Sequence, residues 1–199
     1  MNGSTSTGAQ LLRAYPVRGG WLRWVFKAPL ILWRLGLGFL IGRYIMVITT
    51  TGRKSGLPRH TMAEWHPLNG GKFVPVNYGE RAQWYQNIET DPHVTIQTSD
   101  GTQRMIARRI SDGTELLDAY RVIKSRNPMM MAWYLDSHGI EDREADILAK
   151  KDRIYLLTFE PTDEATPPPL EADLLWGWTL VLGVVWLLFG RGGRSRRRR

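Results

Sequence analysis

The 199-residue chain contains no cysteine. That excludes disulfides, a thiolate nucleophile and cysteine-ligated metal, and it fits a reducing compartment. Carboxylates are missing from the first third of the chain, the earliest being Glu64. Histidine is scarce: His60, His66, His93 and His138 are the four present. His60 and His66 share strand parity, but their separation along a strand is about 20 Å, too far to share one metal. There is no P-loop, because Gly-Lys-Ser/Thr does not follow Gly52, and no Gly-x-Ser-x-Gly nucleophile elbow. Long apolar runs are scarce too, and the one clear case, residues 174–190, lies near the C-terminus.

The net charge of +8 is unevenly spread. Residues 1–63 carry nine Lys or Arg and no acid, and residues 191–199 carry six Arg and no acid. The body between, 64–190, has twelve bases against nineteen acids. A nucleic-acid domain usually carries its basic patch on the fold itself, so no nucleic-acid partner is expected. Basic ends instead suit an anionic membrane surface, where each nearby Lys or Arg contributes about 1 kcal/mol. Six of the nine tryptophans also lie in the end segments: Trp21, Trp24, Trp33, Trp176, Trp178 and Trp186. Tryptophan favours the membrane–water boundary, where its ring is apolar and its N–H stays wet.

The chain divides by composition. Residues 1–20 read as a flexible N-terminus. Residues 21–42 read as an amphipathic helix, interfacial or capping the domain, with Leu30, Trp33 and Leu37 near one face. Residues 43–160 read as mostly strands with a helical insert. Strands are expected at Tyr44–Thr50, Arg59–His66, Lys72–Asn77, His93–Thr98, Thr102–Ile110 and Arg153–Glu160. A short helix is expected over 82–89 and a helical insert over 112–148, with hairpin turns at Asn69-Gly70-Gly71 and Ser99-Asp100-Gly101. Many short strands with close turns favour a small barrel. Residues 161–173, with Pro167-Pro168-Pro169 and several acids, read as a stiff solvated linker. Residues 174–190 then read as a C-terminal apolar helix and membrane anchor. Such a helix is about 25 Å long, just short of a roughly 30 Å hydrocarbon core. An Arg-rich tail, 191–199, follows. Positive-inside topology keeps that tail cytoplasmic, and a single crossing would then put the body on the other side. The sequence leaves open whether the segment crosses or lies shallow.

The stretch Thr49-Thr50-Thr51-Gly52-Arg53-Lys54-Ser55-Gly56-Leu57-Pro58-Arg59 carries the most chemical information. A β-branched run breaks into a turn with two glycines and three cations. Gly52 and Gly56 permit backbone conformations closed to other residues. Such a turn can aim consecutive N–H groups at an anion, and Arg grips a phosphate or carboxylate with paired bonds. A plain solvated basic hairpin is the competing reading.

The stretch resembles the signature of the deazaflavin-dependent nitroreductase family, split β-barrel oxidoreductases that use the reduced deazaflavin coenzyme F-420. A second block, Trp84-Tyr85-Gln86-Asn87-Ile88, is similar to that family's Trp-Tyr-x-Asn-Leu and stands in the right order. The resemblance spans about residues 29–160. It departs at Met62, where many relatives have Pro, and after Val76, where a Ser-Lys pair of some members is missing.

The resemblance implies an α+β, mainly β fold: a split β-barrel with capping helices. It implies hydride transfer from F-420 to a quinone-like or other conjugated acceptor, with FMN on the same fold or a non-catalytic carrier as alternatives. Arg53, Lys54, Ser55 and Arg59 would hold the coenzyme's phosphate and acidic tail, with Gly52 and Gly56 allowing close approach. Asn77, Tyr78 and Gly79 would lie along the ring, and Trp84 and Asn87 would close the pocket. Tyr120, Met129-Met130-Met131, Trp133 and Tyr134 would form an apolar mouth or ordinary helix core, with Tyr134 a proton donor if it faces the cofactor. The basic, tryptophan-rich ends lead to the cell membrane as the expected setting, with membrane lipid as a partner, and the resemblance implies a catalytic domain on the cytoplasmic side. A homodimer is also expected, since the fold is often dimeric in related families. No metal site is expected.

Overall fold

A computed structural model describes residues 28–179, 182, 183 and 186. Seven strands form one antiparallel sheet: β1 Ile45–Thr51, β2 Pro58–Glu64, β3 His66–Leu68, β4 Gly71–Pro75, β5 His93–Thr98, β6 Gly101–Arg109 and β7 Leu156–Pro161. Their order is β2-β1-β5-β6-β7-β4-β3. β2 and β3 are thus opposite edges of the sheet, yet only Trp65 separates them in the chain. The sheet has to curl until its edges meet, and the result is a split-barrel-like arrangement. Trp65 holds the seam. Its N–H donates to Tyr44 O at 3.1 Å and its Nε1 to Gly42 O at 3.0 Å. The single strand expected over Arg59–His66 is therefore two strands that belong to different edges.

Alternation along each strand fills the barrel. Met46 and Ile48 of β1 join Val74, Val94, Ile96, Leu157 and Phe159 in one buried cluster, closed by Tyr85 and Ile88. Those last two come from a helix, and four further helical elements are numbered in chain order: α1 Gly38–Ile41, α2 Gln83–Thr90, α3 Gly113–Arg126, α4 Pro128–Ser137 and α5 Glu144–Ala149. Asp112 caps α3 by accepting from the N–H groups of Thr114 and Glu115 at 2.9 and 3.0 Å. Asn127 caps α4 through Met130 N–H at 3.1 Å, with Pro128 at the first helical position. α3, α4 and α5 pack over Phe73 and Leu156 on the sheet to make a second core of Leu116, Ile123, Leu135 and Ile147.

Residues 28–41 are helical, as expected, but broken. A π-helical turn at Trp33–Leu37 contains Gly36 at φ +83°, a conformation that favours glycine. Trp33 is buried, and Leu30 and Leu37 are half-buried. Gly42 then passes so close to the β5–β6 hairpin that a Cβ there would lie 2.4 Å from Ser99 N.

The 161–173 segment is not a free linker. It is strapped over β5 and β6. Thr162 N–H donates to Arg104 O, and Arg104 Nη1 donates to Asp163 O, both at 3.2 Å. Thr95 Oγ1 donates to Pro167 O at 2.5 Å. Gln97 exchanges two bonds with the Leu170 backbone, at 2.8 and 3.1 Å. An extended proline-rich run makes no internal hydrogen bonds, so its carbonyls are free to accept from Thr95 and Gln97.

Within 174–190, residues 177–179, 182, 183 and 186 are helical and 174–176 form a turn. Among the described residues no helix is long and apolar enough to cross a membrane. The expected C-terminal apolar helix is not supported as a span. The expectations for residues 1–20, for 21–27 and for the Arg-rich tail fall outside the described residues.

Candidate cofactor site

The turn between β1 and β2 is built by its glycines. Gly52 N–H donates to Leu57 O at 2.9 Å, while Ser55 and Gly56 N–H both donate to Gly52 O at 3.0 and 2.7 Å. Gly56 takes φ +66°. A Cβ on Gly52 would lie 2.8 Å from Ser55 Oγ and 3.1 Å from Leu57 O, so the turn closes only around glycine. Leu57 N–H is 3.4 Å from Ser55 Oγ, and Arg53 N–H donates to Asn87 Oδ1 at 3.3 Å. The N–H groups expected to form an anion cradle are thus largely used inside the protein. Positive charge in this site comes from side chains.

α2 stands beside the turn and fixes Arg53. The guanidinium donates to Asn87 Oδ1 at 3.0 Å, Gln83 Oε1 at 2.9 Å, Gln86 Oε1 at 2.5 Å and Gln83 O at 3.5 Å. All of these acceptors are neutral. Asn87 is buried, and its Nδ2 donates to Thr50 Oγ1 at 3.1 Å. Arg59 Nη2 donates to Ser55 Oγ at 3.2 Å. Lys54 is exposed and has no hydrogen-bond or ion-pair partner among the described residues. None of the ion pairs among the described residues involves Arg53, Lys54 or Arg59. Three cations therefore face one cleft without a carboxylate to offset them.

That cleft has a volume of about 370 Å³ and is lined by the turn, the start of β2 and the α2 residues Gln83, Trp84 and Asn87. The volume falls within the usual range for small-molecule sites. The spacing of Gln83 and Asn87, four apart, puts them on one face of α2, while Tyr85 and Ile88 face the barrel core. Trp84 both lines the cleft and packs against that core. Sequence reasoning missed Gln83, Gln86, His60 and Thr61. The helical repeat from Asn87 pointed to Gln83; nothing local marked the other three. His60 Nδ1 lies 3.0 Å from Thr49 Oγ1, and burial lowers its pKa.

Asn77, Tyr78 and Gly79 follow β4 and do not line this cleft. Tyr78 packs against the barrel core. Gly79 takes φ +50° and leaves no room for a Cβ, which would meet the Tyr155 ring at 3.0 Å. Asn77 Oδ1 is buried and has no partner among the described residues. An acceptor in that state costs about 1–3 kcal/mol until a donor reaches it.

Tyr134 lies elsewhere. It is fully buried, donates to Tyr155 O at 3.2 Å and accepts from Tyr155 N–H at 2.8 Å. Burial pushes its pKa well up. Its hydroxyl is committed to the backbone of β7's approach and does not reach the cleft. The apolar mouth is not assembled either. Tyr120, Met131 and Tyr134 are second-core residues with Met130 and Trp133 packed against them, and Met129 stands exposed.

A family model described as F-420H(2)-dependent quinone reductase matches residues 36–136, which include the turn and α2. No curated protein matches the chain. Among solved structures the chain is similar to an F-420-H2 dependent reductase (FDR-A), at 22% identity over 59% of this chain and 95% of that one, with a TM-score of 0.46. It is similar to a chain described as a domain-swapped dimer, at 20% identity over 70% and 98%, TM-score 0.48. It is also similar to HutZ, the heme storage protein from Vibrio cholerae, at 17% identity over 68% and 90%, TM-score 0.43.

Proposed function

Because the chain belongs to the F-420H(2)-dependent quinone reductase family, we propose that its cleft holds coenzyme F-420 for the reduction of a quinone-like acceptor dissolved in, or drawn from, a membrane. Dependence on F-420 and oxidoreductase activity follow from membership. The acceptor, the membrane setting and the roles of individual residues are the proposal.

The observation that carries it is the cleft's uncompensated charge. Three cations with no paired carboxylate suit an anionic ligand. The residues present fit this coenzyme. Lys54 and Arg59 are free to meet a phosphate or carboxylate. Arg53 is already held in place by Asn87, Gln83 and Gln86, so little side-chain entropy is lost when it pairs. Gly52 lets the turn close on itself where it lines the cleft, while Gly56 is not among the lining residues. Trp84 supplies an apolar wall.

When bound, the reduced coenzyme supplies a hydride, which with a proton from water converts a quinone to its hydroquinone. The chain's own part is to bind, orient and shield. No side-chain acid is required of it. We place the catalytic domain at the cell membrane on its cytoplasmic side, where both coenzyme and lipid-dissolved acceptor would be within reach.

The test is to mix the purified chain with reduced F-420 and a short-chain water-soluble quinone and to follow the return of the oxidised coenzyme's absorbance. Oxidation that needs both protein and quinone supports the proposal. Coenzyme binding with no quinone turnover would reject the quinone acceptor.

A further inference from the structure

The strap over β5 and β6 delivers the C-terminal segment to the N-terminal one. At its end, Asp173 accepts from Arg34 Nε at 2.6 Å and from Nη2 at 2.5 Å. Leu174 N–H donates to Arg34 O at 3.0 Å, and Trp178 Nε1 to Leu35 O at 2.9 Å. The break at Gly36 makes room for this junction: Leu175 Cδ2 sits 2.6 Å from where a Cβ on Gly36 would be. Leu35 Cδ2 in turn lies 3.3 Å from the corresponding point on Gly177. Segments with contacts 139 to 143 residues apart in sequence thus interlock through small residues and paired polar groups.

The junction leaves large apolar side chains outside. Phe39 is 68% exposed, Leu40 57%, Trp176 61% and Trp186 69%, with Ile31, Leu32, Leu175, Trp178 and Leu182 also exposed. Large apolar side chains left in solvent on two adjoining segments are a mark of an interaction surface. Arg43 is exposed beside α1. In the sequence, the stretches on either side of these segments, 1–27 and 191–199, carry ten Lys or Arg and no acid.

We propose that the interlocked ends form one surface that docks on an anionic lipid bilayer and lies in its interface. Exposed Trp, Phe and Leu enter the acyl boundary, and the basic ends meet the headgroups. Docking in the plane needs no spanning helix and does not carry the arginine tail through the bilayer. It also removes the conflict between the tail's charge and a cytoplasmic catalytic domain. The inference rests on the proposed function only for its purpose, which is to bring the cleft to a lipid-dissolved acceptor.

The full chain is floated with vesicles of phosphatidylcholine alone and of phosphatidylcholine with about 30% phosphatidylglycerol, the lipid that supplies the negative surface potential. Wild type is expected to float with the anionic vesicles and to be released by salt. F39S/L40S and W176S should each weaken this by about tenfold or more, since each removes large side chains from the buried contact. Arg34→Ala should weaken it too, by releasing the strap's end. All these variants should turn over the water-soluble quinone in lipid-free buffer as wild type does, which shows that they fold. Variants that float like wild type would overturn the proposal, because the basic tails alone would then suffice. Failure of wild type to float would overturn it as well. So would a dimer in lipid-free buffer that the same variants split, which would make a second copy the occupant. Flotation without quinone turnover would reject the acceptor and leave the surface standing.

Discussion

Asn87 Oδ1 accepts from the guanidinium of Arg53 at 3.0 Å and from the Arg53 backbone N–H at 3.3 Å. One buried amide on α2 therefore sets both the path of the cationic turn and the aim of its first cation. Because Asn87 is neutral, it positions Arg53 without cancelling the charge. Asn87→Asp should keep the bonds to Arg53, leave Thr50 to donate where it now accepts from Nδ2, and remove the field. We expect coenzyme affinity to fall about tenfold or more, which is about 1.4 kcal/mol. Asn87→Ala should instead lose stability, by about 1–3 kcal/mol, through the donors and acceptors it strands. Fluorescence titration paired with urea unfolding separates the two. Equal affinity in wild type and Asn87→Asp would remove the cleft's charge from the argument.

The other two cations should behave differently from Arg53. Lys54 is exposed without a partner among the described residues, and Arg59 meets only Ser55. Replacing either by Ala should cost about 1.5–3 kcal/mol of coenzyme binding, the worth of a charged hydrogen bond, with stability within about 0.5 kcal/mol of wild type. Arg53→Ala should cost both, since its guanidinium also ties the turn to α2. Isothermal titration and thermal unfolding on the same samples check this. A stability loss in Lys54→Ala would contradict its free placement.

How much of this was legible in the sequence depends on how local the cause is. β5 falls where alternation put it, and β1, β6 and α2 lie within one or two residues of their expected bounds, because their signals are neighbouring side chains and turn residues. The cationic turn was legible for the same reason. Trp65 was not. Its role is to join opposite sheet edges, which is a property of topology rather than of any window along the chain. The 161–173 strap was misread because acids and prolines look solvated, and its partners Thr95, Gln97 and Arg104 lie about sixty to seventy residues away. Tyr134 was legible as helix core, one of its two readings, but not in what its hydroxyl does. Its helix could be recognised, but the backbone of Tyr155 that consumes its hydroxyl could not.

That consumption makes a third prediction. Tyr134→Phe removes the bridge to Tyr155 N–H and O, which are buried. It should destabilise the protein by about 1–3 kcal/mol, measured by urea unfolding. kcat/KM for quinone reduction should stay within about twofold of wild type, a change of under 0.5 kcal/mol in barrier. A large fall in kcat with unchanged stability would return Tyr134 to the list of proton donors.

The strap carries a pH dependence through His93. Its Nδ1 lies 2.8 Å from Asp91 Oδ1, at the end of α2, and its Nε2 2.7 Å from Glu164 Oε2, on the strap. Asp91 first, then Glu164, raise the His93 pKa above its ordinary value, and the same imidazolium helps to lower that of Asp91. A histidine whose folded pKa is raised stabilises the fold most fully below its unfolded value of about 6.5. The contribution is lost as pH climbs through the raised folded value. His93→Gln should therefore be less stable than wild type near pH 5.5, and the two should converge as pH rises above the raised folded value. Protection of the amides at 162–166 and 170, corrected for the intrinsic rise of exchange with pH, should fall over the same range in wild type and stay flat in His93→Gln. A stability gap that does not change with pH would mean that His93 holds the strap by neutral hydrogen bonds alone.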